Sequence, residues 1–222
     1  MVVVKIEMKD HNEVVEIIVE SIKESLKDNE CILLGLGGGS TANIYPDIAA
    51  HLTPEEWKRI AVYLIDERFV PKGHFDANLK LIEEKLLAHC SPMMVIAPEI
   101  HLGISVKIAI ERYSEAVQGF IRQHSPSILN IYGMGPDGHI GSLFPGSFDV
   151  NSEDIFVYTY TSRFHIQRRI TVGPQWCRNH ESILVLNTPE KHAVFQEHMT
   201  HRNDTSNHPV NLLRKLKVLV YE

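Results

Sequence analysis

An aspartate and a histidine stand two positions apart in a glycine-rich stretch, and they form the strongest candidate for chemistry in this chain. Asp137 and His139 lie in GMGPDGHIGSLFPG (residues 133–146), directly after the apolar run SILNIY (127–132). That run predicts a buried strand, and glycines let the backbone turn sharply at its end. Because open α/β sheets bind ligands at the carboxyl ends of their strands, a reaction is expected at this acid–imidazole pair.

Two other polar segments also follow predicted strands. The turn GGGST (37–41) exposes backbone N–H groups at a helix start and, with the Ser40 and Thr41 hydroxyls, can bind a phosphate. It has neither the lysine of a P-loop nor the spacing of a dinucleotide fingerprint, so a tight strand–helix turn is an equal alternative. The triplet DER (66–68) fits a solvated charge cluster, yet its position past a strand lets Arg68 stabilise a developing oxyanion.

Several side chains have the charge to complete an anion site. Arginine forks match phosphate geometry, and the candidates, some of which must be surface charges, are Arg163, Arg168, Arg169 and Lys191.

The sequence disfavours two other kinds of site. A metal site among the clustered histidines is disfavoured because no carboxylate or cysteine completes a ligand spacing; these are His192, His198, His201 and His208. Neither Ser40 nor Ser142 sits in a nucleophile elbow, which disfavours a serine hydrolase.

The periodicity alternates between strands and helices. Helices are predicted over 10–27, 76–89 and 104–123 and from Pro189, and strands over 31–36, 59–65, 127–132, 155–160, 182–186 and 216–221. Asp10 and Glu13 suit a capping box, and Pro46 predicts a late start or a bend in the helix after the glycine turn. Alternation of this kind predicts a three-layer α/β/α, Rossmann-like domain with a mostly parallel central sheet. No repeat or linker divides it, so a single domain over 1–222 is expected.

Composition limits the possible partners. A net charge of −6 over 222 residues argues against general nucleic-acid binding, so an anionic substrate would need a local cationic pocket. No apolar run approaches a membrane span, and residues 1–7 are too short and too soon charged for a signal peptide. Three widely spaced cysteines, Cys31, Cys90 and Cys177, indicate no disulfide framework, which favours a cytoplasmic location.

The motifs resemble those of one known family. GPDGH (135–139) with SLFPG (142–146) is similar to the signature of 6-phosphogluconolactonases. The resemblance extends over nearly the whole chain in the same order, through GGST (38–41), DERFVP (66–71) with Asp76 and Asn78, RIT (169–171) and PEKHA (189–193). It implies hydrolysis of 6-phosphoglucono-δ-lactone in the pentose phosphate pathway, with a phosphorylated sugar lactone as substrate and with no cofactor or metal.

The resemblance also implies roles for the candidate residues. His139 would be the general base on water, a role that the ordinary histidine pKa of about 6.5 suits. Asp137 would orient the imidazole, although one intervening residue does not assure contact, and Arg68 would stabilise charge on the lactone oxygens. The substrate and its phosphate would be bound by Gly38, Gly39, Ser40, Thr41, Asp66, Arg169 and Lys191, with Arg163 as the alternative to Arg169.

Two alternatives stay open. Glucosamine-6-phosphate deaminases belong to the same superfamily but normally carry glutamate at Phe144 and tyrosine at Arg68, while SRF (162–164), TVG (171–173) and ILVL (183–186) are similar to deaminase segments. The chain also has Ala42 and Thr188 where lactonases usually have proline and glycine. A non-catalytic sugar-phosphate sensor is the other alternative, but the roughly 30 residues before Gly35 are too few for a helix-turn-helix and a linker.

Overall fold

A computed structural model describes residues 7–221, and this part of the chain forms ten strands and seven helices. The strands are β1 (Glu7–Lys9), β2 (Ile32–Leu36), β3 (Ile60–Leu64), β4 (Asp66–Arg68), β5 (Met94–Ile96), β6 (Ser127–Gly133), β7 (Phe156–Tyr160), β8 (Arg168–Val172), β9 (Glu181–Leu186) and β10 (Lys215–Tyr221). The helices are α1 (His11–Asp28), α2 (Tyr45–His51), α3 (Pro54–Trp57), α4 (Asn78–Ile82), α5 (Val106–His124), α6 (Pro174–Asn179) and α7 (Pro189–Met199). Short 3-10 segments cover Gly39–Ile44 and Pro209–Leu212, and a π-helical turn covers Glu83–Leu87.

Seven strands form a central sheet in the order β1-β10-β9-β6-β2-β3-β5. Every neighbouring pair in this sheet is parallel. Apolar clusters cover both faces, one including Val14, Ile18 and Ile22 of α1 and the other including Tyr113 and Val117 of α5. Burial on both faces explains why the central strands read as continuous apolar runs. The predicted three-layer α/β/α class is confirmed.

The first helix follows the sequence signals closely. Asp10 is the N-cap of α1, and its carboxylate accepts a 2.9 Å bond from the Glu13 amide. The Glu13 carboxylate in turn accepts a 3.0 Å bond from the Asp10 amide, which confirms the capping box. Because the buried residues of α1 lie three and four positions apart, the helix packs one continuous apolar face against the sheet.

A second, smaller sheet is not foreseen by the sequence patterns. β4, β8 and β7 pair antiparallel in that order, with Arg68 opposite Arg169 and Asp66 opposite Thr171. β8 carries no strand signal in the sequence because its first two residues are arginines. The sheet matters for the site because it joins the predicted DER segment to a second pair of cations.

Three short segments of the chain show local structure that the sequence left open or predicted differently. Pro46 lies in the first turn of α2, so this helix starts late, after a 3-10 segment, rather than bending. The helix predicted over 76–89 divides at Glu83 into α4 and the π-helical turn. Residues 90–101, for which the sequence predicts neither helix nor strand, contain the edge strand β5. Within residues 7–221 no helix is long and apolar enough to cross a membrane. The signal-peptide expectation rests on residues 1–7, of which residues 1–6 lie outside the described chain, as does residue 222.

Candidate active site

The loop after β6 folds tightly enough to bring its acid and its imidazole together. The Gly135 amide donates to the His139 carbonyl at 2.9 Å, and the Gly138 amide donates to the Gly135 carbonyl at 3.1 Å. Gly138 has a φ of +77°, a left-handed backbone conformation that residues other than glycine rarely adopt. Glycine is therefore required at position 138 by the path of this turn, and the turn sets the positions of Asp137 and His139.

Asp137 and His139 are in direct contact. His139 Nδ1 donates to Asp137 Oδ1, since an ionised carboxylate can only accept. Nδ1 is thereby engaged, so Nε2 is the ring nitrogen that can take a proton from water. Both side chains are largely buried, with exposed fractions of 19% for the aspartate and 16% for the histidine. Burial acts to raise the pKa of Asp137, but the His139 hydrogen bond and the charges of His139 and Arg163 outweigh it and lower the pKa to about 2.

Two phenylalanines flank the imidazole. The Phe144 ring centroid lies 4.7 Å from that of His139, and the Phe164 ring meets His139 edge-on at 5.8 Å. Phe144 is buried, whereas Phe164 belongs to the β7–β8 loop (residues 161–167) and is exposed. In the sequence Phe164 stands out only as part of the SRF segment (162–164), and its contact with His139 depends on how the β7–β8 hairpin folds back.

The glycine-rich turn meets the start of α7. Lys191 Nζ donates to Ser40 Oγ and to Asn187 Oδ1, both at 2.8 Å. Gly38 packs so closely against the amide of Asn78 that a Cβ at this position would overlap it. Burial lowers the pKa of Lys191. Asn187 was missed by the sequence analysis; its position at the end of β9, just before the helix cap Thr188, is the signal that identifies it.

The DER segment divides into three different roles. Asp66 accepts a 2.6 Å bond from the Ser142 hydroxyl, which ties β4 to the loop that carries His139. The carboxylate of Glu67 accepts from the amides of Arg68, Asn78 and Leu79 at 2.6, 2.6 and 2.8 Å. Burial raises the pKa of Glu67 to about 7, despite those three backbone N–H bonds. Arg68 Nη1 donates to the carbonyl of Asp76 at 2.9 Å, which fixes its guanidinium.

The two candidate arginines occupy different environments. Arg169 is 7% exposed, and its Nε is a buried donor with no hydrogen-bond partner among the described residues. Burial lowers the pKa of Arg169. Arg163 is 57% exposed, and its Nη1 donates to Asp137 Oδ2. A buried unpaired donor points to a ligand that completes the site, whereas Arg163 already has its partner.

One cavity of about 260 Å³ brings most of these groups together. Its lining includes Gly38, Gly39, Ser40, Thr41, Asp66, Arg68, His139, Arg169 and Lys191. Asp137 and Arg163 are not in that lining; they contact each other, and Asp137 contacts His139. Three cationic side chains and one carboxylate line the cavity, so an anionic ligand fits it although the whole chain is acidic.

Three histidines near the end of the described chain, His198, His201 and His208, pack against one another. His198 Nδ1 and His208 Nδ1 are 2.9 Å apart, and the ring of His201 stacks on that of His208. His198 also lies against Gly138, beneath the turn. Across residues 7–221, no group of three or more His, Cys, Asp or Glu side chains is arranged to hold a metal ion.

Comparisons with known proteins agree in naming one family. A family model described as glucosamine-6-phosphate isomerases/6-phosphogluconolactonase matches residues 9–220. A probable 6-phosphogluconolactonase of Dictyostelium discoideum is 27% identical over an alignment of 208 residues that covers 90% of this chain and 87% of that protein.

Solved structures show the same fold. A 6-phosphogluconolactonase from Thermotoga maritima has a TM-score of 0.81 at 22% identity, covering 97% of this chain and 98% of that one. A 6-phosphogluconolactonase from Shewanella baltica has a TM-score of 0.84 at 18% identity, covering 99% and 98%.

Proposed function

Because the chain belongs to the glucosamine-6-phosphate isomerase/6-phosphogluconolactonase family, we propose that it hydrolyses 6-phosphoglucono-δ-lactone to 6-phosphogluconate, a step of the pentose phosphate pathway. Membership confirms the resemblance identified from the sequence motifs. The observation that carries the proposal is the part-buried contact between Asp137 and His139 at a cavity lined by three cations. A carboxylate-oriented imidazole supplies a base, and the cations supply a site for a phosphorylated, charge-accumulating substrate.

Lactone hydrolysis needs little beyond these groups because a lactone is already an activated ester. His139 Nε2 takes a proton from water while the water oxygen bonds to the lactone carbonyl carbon. Arg68, held by its bond to the Asp76 carbonyl, stabilises the negative charge on the tetrahedral intermediate. The intermediate then collapses, the bond to the ring oxygen breaks, and the imidazolium returns its proton to that leaving oxygen.

The phosphate end of the substrate is assigned to the other side of the cavity. Lys191 and the turn of Gly38, Gly39, Ser40 and Thr41 supply a cation, backbone N–H groups and hydroxyls. Arg169 adds a buried guanidinium whose Nε has no hydrogen-bond acceptor among the described residues. Binding energy from this remote group positions the reacting carbonyl at His139. Asp66, also in the lining, is assigned to a substrate hydroxyl.

The rival reaction within the family is amine elimination from glucosamine 6-phosphate. Deaminases normally carry a glutamate where this chain has Phe144, and Phe144 is buried against the His139 ring. The position therefore supplies no acid or base, which favours the lactonase. We also propose a cytoplasmic location, supported by three free cysteines, of which Cys31 and Cys177 are buried.

The experiment that tests the function measures both reactions side by side. The lactone is generated in situ by oxidising glucose 6-phosphate at C1, and its loss is followed above the spontaneous rate. Ammonia release from glucosamine 6-phosphate is followed in parallel. We expect accelerated lactone loss that disappears in His139→Ala but persists in His89→Ala, an exposed histidine at a helix end. Ammonia release without lactone loss would establish the deaminase, and binding of sugar phosphate without turnover would establish a sensor.

A further inference from the structure

Asp137 divides its two carboxylate oxygens between two partners. Oδ1 accepts from the His139 imidazole, and Oδ2 accepts from the Arg163 guanidinium. We propose that Arg163 is a positioning residue for the His139 base and does not bind the sugar phosphate. It orients the Asp137 carboxylate and weakens the effect of that negative charge on His139. The inference rests on the proposed function for its kinetic readout, but its physical core is the pair of contacts that link Arg163, Asp137 and His139.

The β7–β8 loop is built to deliver this arginine. The Thr161 amide donates to the Gln167 carbonyl at 3.0 Å, which closes the loop, and the Arg163 amide donates to the Thr161 hydroxyl at 3.2 Å. Phe164, the next residue, lies edge-on to the His139 ring. A single loop therefore places a cation on the aspartate and an aromatic ring on the histidine, so that it contacts both members of the pair.

The cavity gives no support for Arg163 as a phosphate ligand. Its lining includes Arg169 and Lys191, with Lys191 bonded to Ser40 of the glycine turn, and does not include Arg163. Arg163 has a carboxylate partner, whereas Arg169 has a buried Nε without one among the described residues. The two arginines, which the sequence left as alternatives for one role, are thus assigned to two roles.

The sign of the electrostatic effect follows from the shared carboxylate. A negative Asp137 favours the protonated imidazole, and a guanidinium on the same carboxylate opposes that preference. Arg163 therefore favours the neutral imidazole, which is the form that acts as a base. Because the guanidinium is largely exposed, its ion pair contributes little to fold stability, and its removal acts locally. The other charged or titratable groups around the pair stay unchanged in the variants: Asp66 and Arg68 from β4, Arg169 from β8, and Lys191 and His198 from α7.

The kinetic test compares Arg163→Gln, Arg163→Lys and Arg122→Gln, the last being an exposed arginine of α5 that makes the same change in net charge. For Arg163→Gln we expect kcat to fall about tenfold at neutral pH while KM stays within about twofold. The acid limb of kcat/KM should move to higher pH. Arg163→Lys keeps the positive charge but lacks the planar guanidinium. The acid limb of kcat/KM should therefore return to its pH in the parent protein, while kcat recovers only in part.

A phosphate-binding arginine would behave differently. In that case Arg163→Gln would raise KM at least about tenfold and leave the acid limb where it is, which would overturn the proposal. Arg122→Gln should match the parent protein in both measurements.

A spectroscopic measurement separates this inference from the proposed function. The titration of the His139 ring protons is followed by NMR in the substrate-free protein, with the signals assigned by their loss in His139→Ala. The midpoint should rise in Arg163→Gln and not in Arg122→Gln. If the midpoint rises but the protein hydrolyses no lactone, the Arg163–Asp137–His139 coupling stands and the lactonase proposal is wrong. If the midpoint does not move, the coupling is wrong whatever the activity.

Discussion

Lys191 Nζ donates to Ser40 Oγ across 2.8 Å, although 151 positions separate the two residues in the chain. The contact joins the first turn of α7 to the glycine-rich turn after β2. Both segments follow parallel strands of one sheet, which is why they meet at the same edge. Burial lowers the pKa of Lys191, and a partly desolvated cation gains more from an anionic ligand than a fully hydrated one.

Replacing Lys191 by alanine should mainly weaken substrate binding. We expect KM for the phosphorylated lactone to rise about 10- to 100-fold while kcat changes by less than about threefold, because Arg169 and the glycine-rich turn still position the substrate once it is bound. Steady-state kinetics of Lys191→Ala measure this directly. Lys72→Ala, an exposed lysine in the loop after β4, is the control and should leave KM unchanged. An unchanged KM in Lys191→Ala would show that the phosphate does not bind at this end of the cavity.

Replacing Asp137 by asparagine should reduce turnover without abolishing binding. The side-chain amide introduced by Asp137→Asn can donate to His139 Nδ1, which leaves the proton on Nε2 and removes the lone pair that accepts from water. We expect kcat to fall about 100-fold with KM nearly unchanged. The control is Asp149→Asn, an exposed aspartate at the end of the same loop region. Full activity in Asp137→Asn would show that the imidazole needs no orienting carboxylate.

The sequence anticipated the five inner strands of the central sheet, β10, β9, β6, β2 and β3, because they read as apolar runs, whereas the short edge strands β1 and β5 were not predicted. β6, for example, is predicted over 127–132 and observed as Ser127–Gly133. The smaller sheet escaped prediction because β4 has three charged residues and β8 starts with two arginines, so neither shows an apolar pattern. Their pairing is decided by tertiary contacts: the Thr171 hydroxyl, for instance, accepts from the Ser142 amide at 3.1 Å.

The residues of the candidate site also differ in how far the sequence predicts them. Asp137 and His139 are predictable from a local motif because both belong to one turn. The direct contact between them is not assured by the spacing; it follows from the fold of the glycine turn. Asn187 and Phe164 were missed because their roles depend on partners far away in the chain, Ser40 and His139. The assignment of the individual roles stays a prediction until the variants are measured.

Glu67 should make stability depend on pH. Its folded-state pKa of about 7 lies above the ordinary glutamate value of 4.5, so the folded chain binds the proton more tightly than the unfolded chain. The contribution is fully present below pH 4.5 and is lost as pH rises through 7. The free energy of unfolding of the parent protein, relative to Glu67→Gln, should therefore fall by about 2 to 3 kcal/mol between pH 4.5 and about pH 8.

Urea unfolding of both proteins across this pH range measures the difference. Glu16→Gln, an exposed glutamate of α1, serves as the matched control and should track the parent protein at every pH. Parallel stability curves for the parent and Glu67→Gln would mean that the three amides bonded to Glu67 keep it ionised throughout, against the effect of burial.

Gly135→Ala should lower the activity of the enzyme by displacing the imidazole ring of His139. A Cβ at Gly135 would overlap the imidazole of His139, so the ring must move away and lose its contact with Asp137. We expect kcat to fall about 100-fold, because small displacements of a catalytic group are costly, with a loss of about 1 to 3 kcal/mol in stability.

Gly119→Ala supplies the matched comparison. Gly119 lies in α5, and a Cβ there meets no atom within 4 Å. Because alanine is the better helix former, this variant should be about 0.5 to 1 kcal/mol more stable and fully active. Activity and thermal unfolding are measured for both. If Gly135→Ala lost stability but kept its turnover, the imidazole would have room to act from a second position, and the contact with Asp137 would not be needed for the reaction.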